Sequence, residues 1–453
     1  MINEQNMKRI LYILPILMIL ASCKKFLDVQ PQQQVDESLA ITDAGSAGTA
    51  VNGMYNSLGT DNYYGSNFPA ISYLYGSDVV WTGSQAAPQE ISAHKTTAFN
   101  SYIGNAWGAI YKAILSANYI LEEVPKVTDP LFTTATKNQY LGEAYAVRAL
   151  SYFDLARGWG GVQLILTPTH TASDHAGIKR SSLADTYAQV LKDLDAAEGL
   201  LPATTNRNRF TQKTVWALKA RFYLYNKQWD LAEQYATRII SDNGNYNLLK
   251  PYSAFFANNA VATSESVFEI AYSTSFKNGH SVWFLPPALG GRREWAPSST
   301  LVTLLNDPTV GGGRSTLIAQ TAPPGNLWYG KLYYRNPLGT DPAYIIRVAE
   351  VYLIRAEARA QQGNLSGALQ DLNAVRDRSG VAATTATTQS DILLAIEAER
   401  RVEFPFETDR WFNLVRTSRV AAVLGITDQT KYLFPIPASE LLADPDLTPN
   451  PGY

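Results

Sequence analysis

Apolar positions in this chain recur at helical spacing over much of its length. Trp107, Ile110, Tyr111, Ile114, Ala117 and Leu121 fall on one face, and Tyr145, Ala149, Tyr152, Phe153 and Ala156 fall on another. A third stripe, Tyr187, Val190, Leu191 and Leu194, predicts a helix over 183–201 that stops at Pro202. Two later stretches resemble each other more closely than amphipathicity requires. In 216–240, Lys219-Ala220 is followed twelve residues on by Ala232, then by Ala236 and Ile239; in 344–375, Arg355-Ala356 is followed twelve residues on by Ala368, then by Leu372 and Val375. Small residues at that spacing suit two helices that cross closely after a short turn, as in tetratricopeptide repeats. Arg148-Ala149 opens a similar unit whose second helix, 183–201, is delayed by an inserted loop. The expected fold is therefore mostly α, built of tetratricopeptide-like helical repeats with long irregular inserted loops.

Those loops are 60–100 and 251–342, rich in Gly, Ser, Asn, Pro and aromatic residues. Long loops on a rigid scaffold usually carry function. Trp81, Trp283, Trp295 and Trp328 fall within them, whereas Trp107, Trp216, Trp229 and Trp411 lie in helical patterns and read as packing residues. A sugar ring presents an apolar C–H face beside its hydroxyls, so a carbohydrate site wants an aromatic platform rimmed by polar groups. Arg292 to Trp295 and Asp78 to Trp81 offer that combination. The candidate ligand-binding set is accordingly Asp78, Trp81, Trp283, Arg292, Trp295 and Trp328, with Trp295 the leading platform.

The chain begins differently. Lys8 and Arg9 precede an apolar run over 10–20 that is too short to span a bilayer, which needs about 20 apolar residues. The run ends Leu20-Ala21-Ser22-Cys23, and Cys23 is the sole cysteine among 453 residues. The pattern predicts a lipoprotein signal peptide over 1–22, a lipidated Cys23 as the mature N-terminus, a tether over 23–34 and one domain over 35–453. Two or three acyl chains hold a protein stably at a membrane where one does not.

Composition narrows the partners. With 46% hydrophobic residues the chain can build a large core, and 38 Lys and Arg against 40 Asp and Glu leave a net charge of -2, so it lacks the basic excess that nucleic acid requires. No HExxH, GxSxG or P-loop motif occurs. The four histidines are dispersed; His170, His175 and Asp174 share one loop, short of the three or four tightly spaced ligands of a zinc site, and no metal or cofactor is expected. Glu397, Glu399, Glu403 and Glu407 invite comparison with glycosidase carboxylate pairs. Glu399 and Glu403 share a helical face, but the interleaved Arg400, Arg401 and Arg410 favour a salt-bridged helix under the repeats. Gly311 to Gly313 before Arg314 has the makings of an anion nest, although glycine runs in loops more often serve flexibility.

Taken end to end, the sequence resembles the SusD/RagB family of surface lipoproteins. The resemblance rests on AWGAIYKAILSANYIL from Ala106, GEAYAVRALSYFDLARGWGGVQL from Gly142, YIIRVAEVYLIRAEA from Tyr344, ERRVEFPFETDRWFNLVRTS from Glu399 and YLFPIPASEL from Tyr432. It implies a non-enzymatic, helix-rich protein of the outer membrane that captures an oligosaccharide or related nutrient. It also implies a partner, a SusC-like TonB-dependent transporter on which such proteins sit as hinged lids. The binding loops differ among members, so the resemblance names no substrate. Two other classes share parts of the pattern, a glycoside-processing enzyme and a tetratricopeptide adaptor for protein partners.

Replacing Cys23 with Ala is expected to release the protein from the membrane fraction while its domain keeps its circular-dichroism spectrum. A variant that stayed membrane-bound without a partner would overturn the anchoring role.

Overall fold

The computed structural model describes residues 41–453 apart from residue 172, so Cys23, the expected signal peptide and the tether lie outside the described residues. The chain runs α1 (Ala44–Leu58), α2 (Asn67–Tyr75), β1 (Val79–Trp81), α3 (Ala86–Ser92), α4 (Ser101–Glu123), α5 (Thr134–Trp159), α6 (Leu183–Leu200), α7 (Gln212–Tyr225) and α8 (Trp229–Ile240). It continues β2 (Ser266–Ile270), α9 (His280–Phe284), β3 (Trp295–Pro297), α10 (Ser299–Asn306), β4 (Ile318–Gln320), β5 (Trp328–Gly330) and β6 (Ala343–Arg347). The last part is α11 (Val348–Gln361), α12 (Leu365–Arg378), α13 (Gln389–Glu403), α14 (Arg410–Arg416), α15 (Val420–Leu424) and α16 (Ala438–Ala443). Short 3₁₀ turns occupy several connections.

Helix packs on helix in sequence. α5 packs on α6, α7 on α8 and α11 on α12, with α8 against α11 joining the last two pairs. Ala220 and Ala356, together with Ala232, Ala236, Ala368, Leu372 and Val375, are fully buried at these crossings, as the small-residue spacing predicts. The first pair is pinned by a buried ion pair, Arg148 Nη2 to Asp193 Oδ1 at 2.8 Å. Side-chain caps start several of the helices: Asn100, Thr133, Ser182 and Thr211 each accept from a backbone N–H of the first turn.

Two expectations are corrected. The segment opening at Tyr344 is not helical: residues 343–347 form β6, antiparallel to β2, and both strands are buried throughout. Its run of buried, β-branched residues fits a strand covered on both faces, and the helix begins at Val348. Residues 60–100, expected as loop, hold α2, β1 and α3; α2 is buried over its whole length, so no amphipathic stripe marks it. Residues 251–342 are irregular as expected, with short strands in two-stranded pairs.

Beneath these elements lies a buried ionic cluster. Arg347 Nη1 meets Glu265 and Glu403 at 2.8 Å each, and its Nη2 meets Glu407 at 2.6 Å. Arg314 pairs with Glu403 at 2.7 Å and with Glu399, and Arg378 pairs with Glu265 and Glu403. All but Glu407 are essentially inaccessible to water. Glu403 is held down near pH 2: burial opposes its ionisation, but Arg378, Arg314 and Arg347 prevail. Burial pushes Glu407 up to about 7 against the pull of Arg347. Glu399 and Glu403 do share a face, since Arg314 bonds both, and the acidic segment is structural. Its partners, however, are not the neighbouring arginines. Arg400 turns to Asp409, and Arg401 and Arg410 reach Asp78, because adjacent helical residues point to different faces. Arg314 directs its guanidinium at these carboxylates, so the glycine run before it leads into an internal anion site.

Ala220→Leu and Ala356→Leu are expected to overpack their crossings and cost about 1 to 3 kcal/mol each. Thermal melts check this; unchanged midpoints for both would place the crossings elsewhere.

Candidate functional site

Three of the four loop tryptophans converge at the β1–β3 ribbon. Its register sets Val79 opposite Pro297, Val80 opposite Ala296 and Trp81 opposite Trp295. The pairing runs on at both ends, with Ser298 N donating to Asp78 O at 2.9 Å and Thr82 N to Glu294 O at 2.9 Å. Trp81 and Trp295 therefore share one face of the ribbon. Trp283 comes from α9 and stacks on Trp295 at 5.3 Å and 27°, while Trp81 lies 6.2 Å from Trp283 at a 48° tilt.

The three rings differ in exposure. Trp295 is fully buried, enclosed edge-on by Tyr73, His280 and Phe284 at 5.5 to 5.9 Å. Trp81 and Trp283 are half-buried. The expectation that Trp295 is the exposed platform is thus corrected: it is the foundation, and Trp283 covers its outer face. Asp78 is corrected as well. Its carboxylate is buried between Arg401 Nη2 at 2.7 Å and Arg410 Nε at 3.3 Å, where it anchors the base of β1. Burial raises its pKa while the two guanidiniums oppose the rise. Trp328 is half-buried on β5, and its ring stacks on none of the other three; its carbonyl accepts from Arg293 Nε at 2.8 Å.

Polar groups rim the exposed rings. Arg292 is exposed, holds its guanidinium 4.8 Å from the centroid of the Trp283 ring, and pairs with Glu294 at 2.6 Å. The segment is stitched to α9: Arg292 N donates to Val282 O at 2.7 Å and Arg293 N to Leu285 O at 2.8 Å. Arg293 adopts a left-handed φ of 49°, a cost that these bonds hold in place. Gly83 was not singled out by sequence reasoning, yet a Cβ there would sit 2.4 Å from the Trp81 ring and 2.9 Å from Glu294, so only glycine lets the two approach. Tyr102 on α4 was missed too. Its hydroxyl is pushed up to about 12, by burial first and then by Glu294, which places it beside the same pair. No signal in the sequence links Tyr102 to a glutamate nearly two hundred positions away.

Among the described residues, no group of three or more His, Cys, Asp or Glu is placed to hold a metal ion. His170 meets Glu122 at 3.3 Å, and Asp174 spends its carboxylate on the backbone of its own loop. No helix among the described residues is long and apolar enough to cross a membrane.

A rigid helical frame that holds a half-open pair of tryptophans beside charged hydrogen-bonding groups defines a helix-rich binding protein. The comparisons agree with that class. A family model described as "Starch-binding associating with outer membrane" matches residues 25–224, and the SusD family model matches residues 329–426. The chain belongs to the SusD/RagB family, whose members are carbohydrate-binding proteins associated with the outer membrane. SusD-like protein P38 of Formosa agariphila is 25% identical, over 99% of each chain. A SusD-like protein of Bacteroides ovatus is also 25% identical, over 90% of this chain and 82% of its own. Among solved structures, a SusD superfamily protein of Bacteroides vulgatus matches with a TM-score of 0.80 at 21% identity, covering 90% of this chain and 99% of its own. A laminarin-binding SusD-like protein matches at 0.79 and 24%, covering 91% and 100%. These two likenesses establish the fold.

Trp295→Ala is expected to destabilise the protein by about 3 to 5 kcal/mol, whereas Trp283→Ala, which loses a half-open ring, should cost far less. Thermal melts of the two variants check the order; a smaller loss for Trp295→Ala would mean it is not the buried foundation.

Proposed function

We propose that this chain is a surface lipoprotein that binds an oligosaccharide on the Trp81–Trp283 face and delivers it to a SusC-like TonB-dependent transporter, serving as its lid. The observation that carries the reading is the stacked ring of Trp283, half open to solvent and braced from below by Trp295. A braced aromatic face needs no reordering on contact, so little rotamer entropy is lost when a sugar ring settles on it. Arg292 and Glu294 stand beside that face and offer donors and acceptors for sugar hydroxyls. Cys23 supplies the anchor in this reading and the helical repeats supply the rigid frame. Trp328, linked through Arg293, extends the surface rather than the stack.

The acidic segment lends no support to a hydrolase, because Glu399 and Glu403 are sealed under arginines, Glu407 is buried against Arg347 and the half-buried Glu397 is engaged by Arg419. A purely protein-binding adaptor would have no need of the tryptophan step.

Titration calorimetry with a panel of neutral glycans, laminarin among them, tests the reading. Trp283→Ala and Trp81→Ala are each expected to weaken binding by about 1 to 3 kcal/mol, roughly five- to a hundredfold, with little change in melting temperature. Turnover of a glycan would establish an enzyme instead. Unaltered affinity in both variants would move the site elsewhere.

A further inference from the structure

A second concavity, of about 440 Å³, opens near the other end of the β4–β5 ribbon. Ser253, Phe256, Asn258, Asn259, Lys331 and Tyr334 line it, and no acidic side chain does. Lys331 follows directly on β5, and its backbone N donates to Leu317 O at 2.7 Å, which prolongs the ribbon. It lies three positions on from Trp328, roughly 10 Å of extended chain. The ribbon therefore joins this concavity to the strand that carries Trp328.

The polar groups here are unengaged, unlike those of the ionic cluster. The carboxamides of Asn258 and Asn259, the Ser253 hydroxyl and the Lys331 ammonium take part in no hydrogen bond or ion pair among the described residues. Asn258 and Asn259 both adopt left-handed backbone, at φ 54° and 59°, and both side chains are exposed. The turn is fixed from behind. Tyr334 Oη accepts from Asn259 N at 2.9 Å and donates to Phe256 O at 3.3 Å. Two carboxamides, each with donor and acceptor, match the vicinal hydroxyls of a sugar. A lone ammonium with no carboxylate in the wall is matched by an anion.

The geometry points to a second saccharide subsite at Asn258, Asn259 and Lys331 that selects an anionic sugar, one carrying a carboxylate or a sulfate ester. This subsite rests on the reading of the chain as a glycan-binding protein and narrows its ligand class. Lys331 pairs with the anionic substituent, and the asparagines bond the ring hydroxyls.

Saturation-transfer NMR and calorimetry on the full chain in detergent test it. The probes are galacturonate, glucuronate and galactose 6-sulfate, each beside its neutral parent sugar, with inorganic sulfate as a control. The anionic sugars are expected to bind at least tenfold more tightly than their parents. Lys331→Gln should abolish that preference without shifting the melting temperature, and Asn258→Ala should weaken binding of the sugars but not of sulfate. Trp283→Ala should leave the preference intact. Binding of uronates alone or of the sulfate ester alone supports the subsite and assigns its anion. Equal affinity for charged and neutral sugars, a preference that survives Lys331→Gln, or inorganic sulfate bound as tightly as the sulfated sugar overturns it. Neutral-glycan binding that depends on Trp283 without any preference at Lys331 overturns this subsite alone. Failure of every glycan to bind overturns the broader reading with it.

Discussion

Arg347 sits where distant segments of the chain's second half must agree. Its guanidinium closes on Glu265 from the start of β2, Glu403 from the end of α13 and Glu407 just beyond, while Arg314 and Arg378 complete the charge balance around Glu403. Removing one member would leave its partners charged in a dry interior, a loss of several kcal/mol, whereas the intact cluster adds little net stability over apolar packing. Its value lies in specificity. Each guanidinium fork accepts carboxylates in few orientations, so the cluster fixes the relative placement of strand, helix and irregular segment where apolar contacts alone would tolerate slippage.

The tryptophan step inherits that placement through contact. α13 carries Arg401 and α14 carries Arg410, and both reach Asp78 at the foot of β1. β1 ends at Trp81, and the partner strand β3 begins at Trp295. The position of the half-open rings is thus set from inside the molecule by two buried ionic assemblies, with Gly83 and the bonds from Arg292 and Arg293 to α9 adjusting it at the surface. Exposed aromatic surface is kept useful by being kept still.

Much of this was legible in the sequence where a period repeats. The helices of the repeats, their alanine crossings and the stop before Pro202 followed from 3.6-residue periodicity and small-residue spacing. The tryptophan cluster was legible as a set, because residues outside every stripe, in Gly- and Arg-rich loops, had few other roles. Its internal order was not. Trp295 reads as exposed because two glycines and three charged residues precede it, yet a strand residue facing another strand is covered by what that ribbon packs against. Asp78 reads as a ligand group because its two arginines lie more than three hundred positions away. α2, buried all round, carries no period to find, and β6 reads as the start of a helix because apolar runs of that length fit either state.

The ionic cluster also orders events in time. Its members span positions 265 to 407, and none of its arginines can settle beside its full set of carboxylates before Glu403 has left the ribosome. The early helices, α5 through α8, close on local contacts and can form while synthesis continues. The second half must wait with its charges solvated. A chain cut short of Glu407 would take Arg410 from Asp78 and also strip Phe412 and Phe434 from Phe68 and Trp159, so the early helices would be left with an open core and β1 with half of its anchor.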